Sequence, residues 1–121
     1  MQIDGKINTN DELLAPISVT GSRKRALVWA IVDTGFSGSL SLPLDLIANL
    51  GMELDGSANY QLADGTVKPQ LLFRATVRWK GKTKRIKANL TFSDEILLGT
   101  ELLKNGKLIG DYKNGKCQIE Y

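Results

Sequence analysis

A mostly β fold follows from three features of this sequence. Short apolar stretches are separated by twelve glycines among 121 residues, amphipathic helical stretches are few and brief, and one long segment alternates apolar with polar residues. That period of two is the pattern of a strand with one buried and one wet face.

The elements are read in chain order. Leu14 to Val19 and Arg25 to Val32 form strands joined at Thr20-Gly21-Ser22, and the second is so apolar that burial on both faces is expected. It runs directly into Asp33-Thr34-Gly35. Ser39 to Leu42 makes another short strand, and Pro43 to Leu50 a helix with proline at its start and Gly51 at its stop. Asn59 to Leu62 and Val67 to Leu72 flank Ala63-Asp64-Gly65, where Asp-Gly suits a tight hairpin turn.

The alternating segment comes next. Phe73, Ala75, Val77 and Trp79 interleave with Arg74, Thr76, Arg78 and Lys80. After a turn at Gly81, Ile86, Ala88, Leu90 and Phe92 interleave with Arg85, Lys87, Asn89 and Thr91. A hairpin that buries the first member of each pair of sets and wets the second is expected. Glu95 to Gly99 reads as a buried strand, and Thr100 to Asn105 as a short helix capped by Thr100 and leaving at Asn105-Gly106. Lys107 to Tyr112 and Lys116 to Tyr121 close the chain as a hairpin around Asn114-Gly115. Trp29 to Gly35 and Asp94 to Gly99 echo one another as apolar strands ending at glycine, each followed by a brief helix. Two similar halves would produce this echo, and so would simple recurrence of strand, turn and helix.

Composition bounds the function. With 42% hydrophobic and 24% charged residues, residues 1–121 are expected to form one globular domain. The longest apolar run, Ala26 to Val32, falls far short of the roughly 20 residues that cross a bilayer as a helix. The first ten residues lack the basic start, apolar middle and cleavage site of a secretory signal, so a cytoplasmic location is expected. Cys117, the single cysteine, cannot form an internal disulfide and reads as a small core residue. There is no histidine, which excludes Ser-His-Asp triads, Cys-His catalysis and histidine metal sites. A net charge of +3 permits acidic partners without requiring them. Arg74, Arg78, Lys80, Arg85 and Lys87 share the outer face of the alternating hairpin, but no aromatic residue interleaves there for base stacking. A solvated face is therefore expected rather than a nucleic-acid contact.

Asp33 is the acid that a simple fold does not explain, because it ends an apolar strand. An ionised carboxylate there costs several kcal/mol unless it is paired or hydrogen-bonded. Thr34 offers a hydroxyl, and Gly35 lets backbone N–H groups turn toward the acid. Ala30-Ile31-Val32-Asp33-Thr34-Gly35, followed by Ser39-Leu40-Ser41-Leu42-Pro43, resembles the aspartic peptidases of clan AA. Phe36-Ser37-Gly38 makes the small prokaryotic retropepsin-like members the nearest match. The resemblance extends from Ala26 to about Tyr112 in the family's order of elements: Asp-Thr-Gly strand, short helix, flap hairpin, then Leu97-Leu98-Gly99.

The resemblance implies a single-domain barrel that is half of a two-fold symmetric homodimer. It implies an endopeptidase acting on a peptide or protein, in which two Asp33 carboxylates, one from each chain, share a proton and activate a water without metal or cofactor. Thr34 and Gly35 would support the catalytic loop, with Thr34 reaching the partner's backbone. Leu62, Ala63, Asp64 and Gly65 would cover the bound peptide, and Leu97, Leu98 and Gly99 would form the second loop. Phe36 departs from the small or hydroxylated residue common after this glycine, which removes one hydrogen-bond donor to the acid; Ser37 is the candidate to replace it. The alternative is a non-catalytic dimerisation or peptide-binding module on the same fold.

Overall fold

The computed structural model describes all 121 residues, and two long hairpins organise it. The first joins β2 (Leu13–Thr20) to β3 (Arg25–Val32); the second joins β6 (Val67–Trp79) to β7 (Lys82–Thr91). Lys80 and Gly81 form the tight turn of the second, with φ values of 55° and 70°. Two positive φ values suit the right-handed twist of the flanking strands. Short strands follow each hairpin: β4 (Leu40–Pro43) leads into α1 (Leu44–Leu50), and β8 (Leu97–Leu98) into α2 (Thr100–Leu103).

The two units exchange strands. β4 pairs in parallel with β7, β8 pairs in parallel with β3, and β4 and β8 lie antiparallel to one another. β2 and β6 also pair antiparallel, with Val19 opposite Val77. Exchanging β2, β3, β4 and α1 for β6, β7, β8 and α2 leaves this pairing map unchanged, which favours two similar halves over chance recurrence. Because β2 meets β6, the ring β2, β3, β8, β4, β7, β6 is closed. Closure removes the edges that would otherwise expose unpaired backbone groups.

Outside the ring, β5 (Glu53–Gln61) pairs with β6, and β1 (Gln2–Ile7) pairs with β2 and β10 (Lys116–Glu120); β9 (Lys107–Asp111) completes the sheet. No strand was expected at β1, whose apolar alternation of Ile3 and Ile7 is interrupted by Gly5. Its pairing with β10 forms it. The core is a cluster of 17 buried residues, drawing Ala15, Ile17 and Val19 from β2, Ala75, Val77 and Trp79 from β6, and Leu40, Leu42 and Leu98 from the short strands. Trp79 donates its indole N–H to the Leu102 carbonyl and the Tyr121 hydroxyl, both at 3.0 Å, which satisfies its polar edge inside the core. Cys117 is buried and unpaired, as expected. No helix is long and apolar enough to cross a membrane.

Five expectations need correction. β3 is not buried on both faces: Ala26, Val28 and Ala30 face the core, whereas Leu27 is 73% and Trp29 44% exposed. No second layer covers that side, and Lys6 rests over the Trp29 ring instead. Phe92 is 86% exposed, because β7 ends at Thr91 and hydrogen bonds from Ser93 and Glu95 turn the chain away before Phe92 reaches the core. Asn89, expected on the wet face, is 1% exposed; it pairs with Leu72 on one side and Ser41 on the other and donates to Gln70 at 2.8 Å. Lys80 leaves the basic outer face, its ammonium lying over the Tyr121 ring. Thr100 does not cap α2: Gly99 occupies the cap position and no side chain bonds there.

Candidate active site

Asp33 leaves the carboxyl end of β3 where β8 pairs alongside, and its N–H donates to the Leu98 carbonyl at 2.9 Å. The Phe36 N–H then bonds the Asp33 carbonyl at 3.2 Å, closing a turn over Thr34 and Gly35. Within that turn the Gly35 N–H donates to Asp33 Oδ1 at 2.9 Å. A carboxylate accepting a backbone N–H is held in one orientation with its second oxygen available. Asp33 is half-buried, and Thr34 and Gly35 are exposed. The acid thus sits at the surface of the single chain, less enclosed than its apolar strand suggested. The Gly35 bond is the one hydrogen bond of the Asp33 carboxylate; neither the Thr34 nor the Ser37 hydroxyl bonds it.

Leu97, Leu98 and Gly99 lie directly against this loop. The Gly99 N–H donates to the Ser39 carbonyl at 2.9 Å, Thr100 to Phe36 at 2.8 Å and Glu101 to Gly38 at 3.2 Å. The first N–H groups of any helix lack partners within it. Here the carbonyls of the Asp33 loop supply them, which explains why α2 needs no side-chain cap. The approach is close: a Cβ on Gly99 would lie 2.1 Å from the Gly38 carbonyl oxygen. The Phe36 ring fills the space beside both glycines, 2.6 Å from where a Cβ on Gly38 would stand and 2.7 Å from one on Gly99. Phe36 therefore packs the loop together.

Leu62, Ala63, Asp64 and Gly65 form the exposed tip of the β5–β6 hairpin. Leu62 donates to the Thr66 carbonyl at 2.7 Å and Gly65 to the Leu62 carbonyl at 2.9 Å. Asp64 accepts the Thr66 N–H at 2.9 Å, and hydrogen bonding by Thr66 holds its carboxyl below the usual value. No hydrogen bond joins this tip to the Asp33 loop within one chain.

The two regions are connected lower down by an open cleft of about 520 Å³. Ser37, Gly38 and Ser39 form one wall, and Tyr60 and Leu72 come from the hairpin. Its far end is basic, lined by Arg74 and Arg85 among others. Sequence reading missed this cleft. Arg74 and Arg85 are exposed, as expected of a solvated face, but the pairing of β5 with β6 sets Arg74 beside Asp55 at the border of the cleft. The signal that could have found it is Gln70 and Asn89, polar residues that bond across neighbouring strands.

No protein-family model matches this sequence, and no curated protein matches it. Solved structures do match in fold. A retropepsin-like aspartic protease from Rickettsia conorii superposes with a TM-score of 0.68 at 22% identity, over 100% of this chain and 91% of that one. EIAV protease in complex with the inhibitor HBY-793 superposes with a TM-score of 0.61 at 13% identity, over 81% of this chain and 90% of that one. The chain has the retropepsin-like aspartic protease fold.

Proposed function

We propose that the chain is an aspartic endopeptidase whose active site forms where two copies meet, each contributing Asp33. The observation that supports this most strongly is the setting of Asp33. It stands at the surface of a retropepsin-like fold, oriented by Gly35 and clasped through its loop by Gly99, Thr100 and Glu101. One chain carries one Asp-Thr-Gly, so a two-fold axis beside the exposed Thr34-Gly35 turn supplies the second acid.

Two carboxylates a few ångströms apart do not both ionise readily and hold one proton between them. The ionised Asp33 removes a proton from a water lying between the pair. The resulting hydroxide equivalent adds to the scissile carbonyl carbon, while the protonated Asp33 gives its proton to the carbonyl oxygen. Collapse of the tetrahedral intermediate breaks the C–N bond, and the amine leaves with a proton returned by the pair. Thr34 braces the two loops across the axis, and the Leu62–Gly65 tip closes over the substrate and excludes water.

Subunit mixing tests this reading. Asp33→Asn is nearly isosteric but supplies no base, so the variant folds and pairs without cleaving a peptide library between about pH 4 and 8. Unfolding a fixed amount of wild type and refolding it with an equal amount of the variant lowers activity to about half, because wild-type pairs become about a quarter of a doubled total. Unchanged activity, with mixed dimers demonstrated by mass spectrometry, would mean that one carboxylate suffices or that the chemistry lies elsewhere.

A further inference from the structure

The basic end of the cleft has an excess of charge that the chain itself does not neutralise. Of its ionisable lining residues, Arg74, Lys84, Arg85 and Lys87 are cationic, and Asp55 and Glu101 anionic. Both anions are already engaged. Asp55 lies 3.7 Å from Arg74 and 3.9 Å from Lys87, and Glu101 lies 3.0 Å from Lys104, outside the cleft lining. Lys84 and Arg85 have no carboxylate within 4.0 Å. Arg85, like Arg74, also lines the adjoining depression with Thr20 and Glu53. The other wall offers the exposed Ser37, whose backbone groups take no hydrogen bond within the chain, suited to an extended chain that needs partners for its own N–H and C=O groups.

We propose that this cleft is a specificity subsite for an acidic side chain of the substrate, recognised by Arg85. The assignment rests on the peptidase reading for its place beside the scissile bond. Ser37 is four residues from Asp33, so the cleft wall begins at most about 14 Å from the carboxylate. An extended peptide rises about 3.3 Å per residue, so it reaches the near wall of the cleft within about four positions of the cleaved bond. Arginine suits this role because its planar fork donates two parallel N–H bonds to a carboxylate.

Peptide pairs that differ only by Glu or Gln, scanned over four positions on either side of the scissile bond, test the proposal. At one position or more, the Glu peptide is cleaved with a kcat/KM roughly fivefold or more above its Gln counterpart, and the preference shrinks as salt is raised from 50 to about 500 mM. Arg85→Gln brings the ratio toward one, and Arg85→Glu shifts preference to a Lys peptide, a reversal that loss of structure cannot produce. The Asp33→Asn protein provides a parallel readout, binding the labelled Glu peptide more tightly than the Gln peptide in fluorescence anisotropy. Equal cleavage of all pairs overturns the acidic subsite and leaves the peptidase standing. Selective binding that depends on Arg85, without cleavage of any peptide by wild type, upholds the subsite and overturns the peptidase. Absence of both binding and cleavage overturns both. Displacement of the Glu peptide by single-stranded RNA at lower concentration than by unlabelled peptide would assign the cleft to nucleic acid and also overturn the proposal.

Discussion

At the scale of single residues, Gly99 of the second motif does different work from a turn glycine. Gly99 has φ −98° and ψ 179°, a conformation open to any residue, so what it supplies is space. A Cβ there meets backbone oxygen from Gly38 at 2.1 Å and Phe36 at 2.6 Å, and neither can swing aside as a flexible side chain would. Gly99→Ala is expected to cost at least about 2 kcal/mol, read as a lowered midpoint in urea unfolding. Gly115 is the contrast. Nothing lies within 4 Å of a Cβ there, but its φ is 69°, so Gly115→Ala is expected to cost about 1 kcal/mol through backbone strain alone. Equal losses at the two positions would contradict the close approach of the loops. Cys117 adds a chemical check. Burial raises its thiol above the usual value, so iodoacetamide at pH 8 is expected to alkylate it far more slowly in the native than in the urea-unfolded protein.

Among the elements, the β5–β6 hairpin is the one whose tip is held mainly by its own hydrogen bonds. Its tip residues are exposed, and Asp64 fastens the turn by accepting the Thr66 N–H. The sign of the pH effect follows from Thr66, whose hydrogen bonds lower the Asp64 carboxyl below its ordinary value of 3.8. A depressed folded value means that the turn is fully supported above 3.8 and loses that support as pH falls through the folded value. The Thr66 amide proton shift is therefore expected to titrate with a midpoint below 3.8, and to lose this titration in Asp64→Asn. A midpoint at or above 3.8 would mean that the turn does not hold in solution. The adjoining β6–β7 hairpin was legible because its inward set is apolar nearly throughout. Its ends were not: Phe92 turns outward past the last ladder bond, and Asn89 is buried because Ser41 and Leu72 flank it.

For the whole molecule, the reciprocal exchange of β4 and β8 between the two hairpins closes the ring and brings Asp33 beside Gly99. The ring places the Thr34-Gly35 turn outward, which in the proposed enzyme is where the second copy docks. Specific activity is then expected to fall on dilution as dimers separate, tracking the sedimentation coefficient from the dimer to the monomer value. A species that sediments as a monomer and still cleaves peptide would end the two-chain model. The open outer face of β3, with Leu27 and Trp29 exposed, shows why an apolar strand need not be enclosed on both sides: periodicity specifies which face can be buried, and neighbours decide whether it is.

Local chemistry in the sequence was enough for the β class, the order of elements after Leu13, most of the hairpin turns, and the oddity of an acid at the end of Ala30-Ile31-Val32. Those signals depend on residues within a few positions of one another: alternation, turn propensity and the cost of a charge after an apolar run. The tertiary structure alone decided that β2 meets β6, that Phe36 and Gly38 carbonyls serve as the cap of α2, and that basic residues of an outer face border a cleft. Each of these joins groups far apart in the chain. Such pairings are selected by closing the ring and satisfying its backbone groups together, a condition that no local stretch of sequence contains.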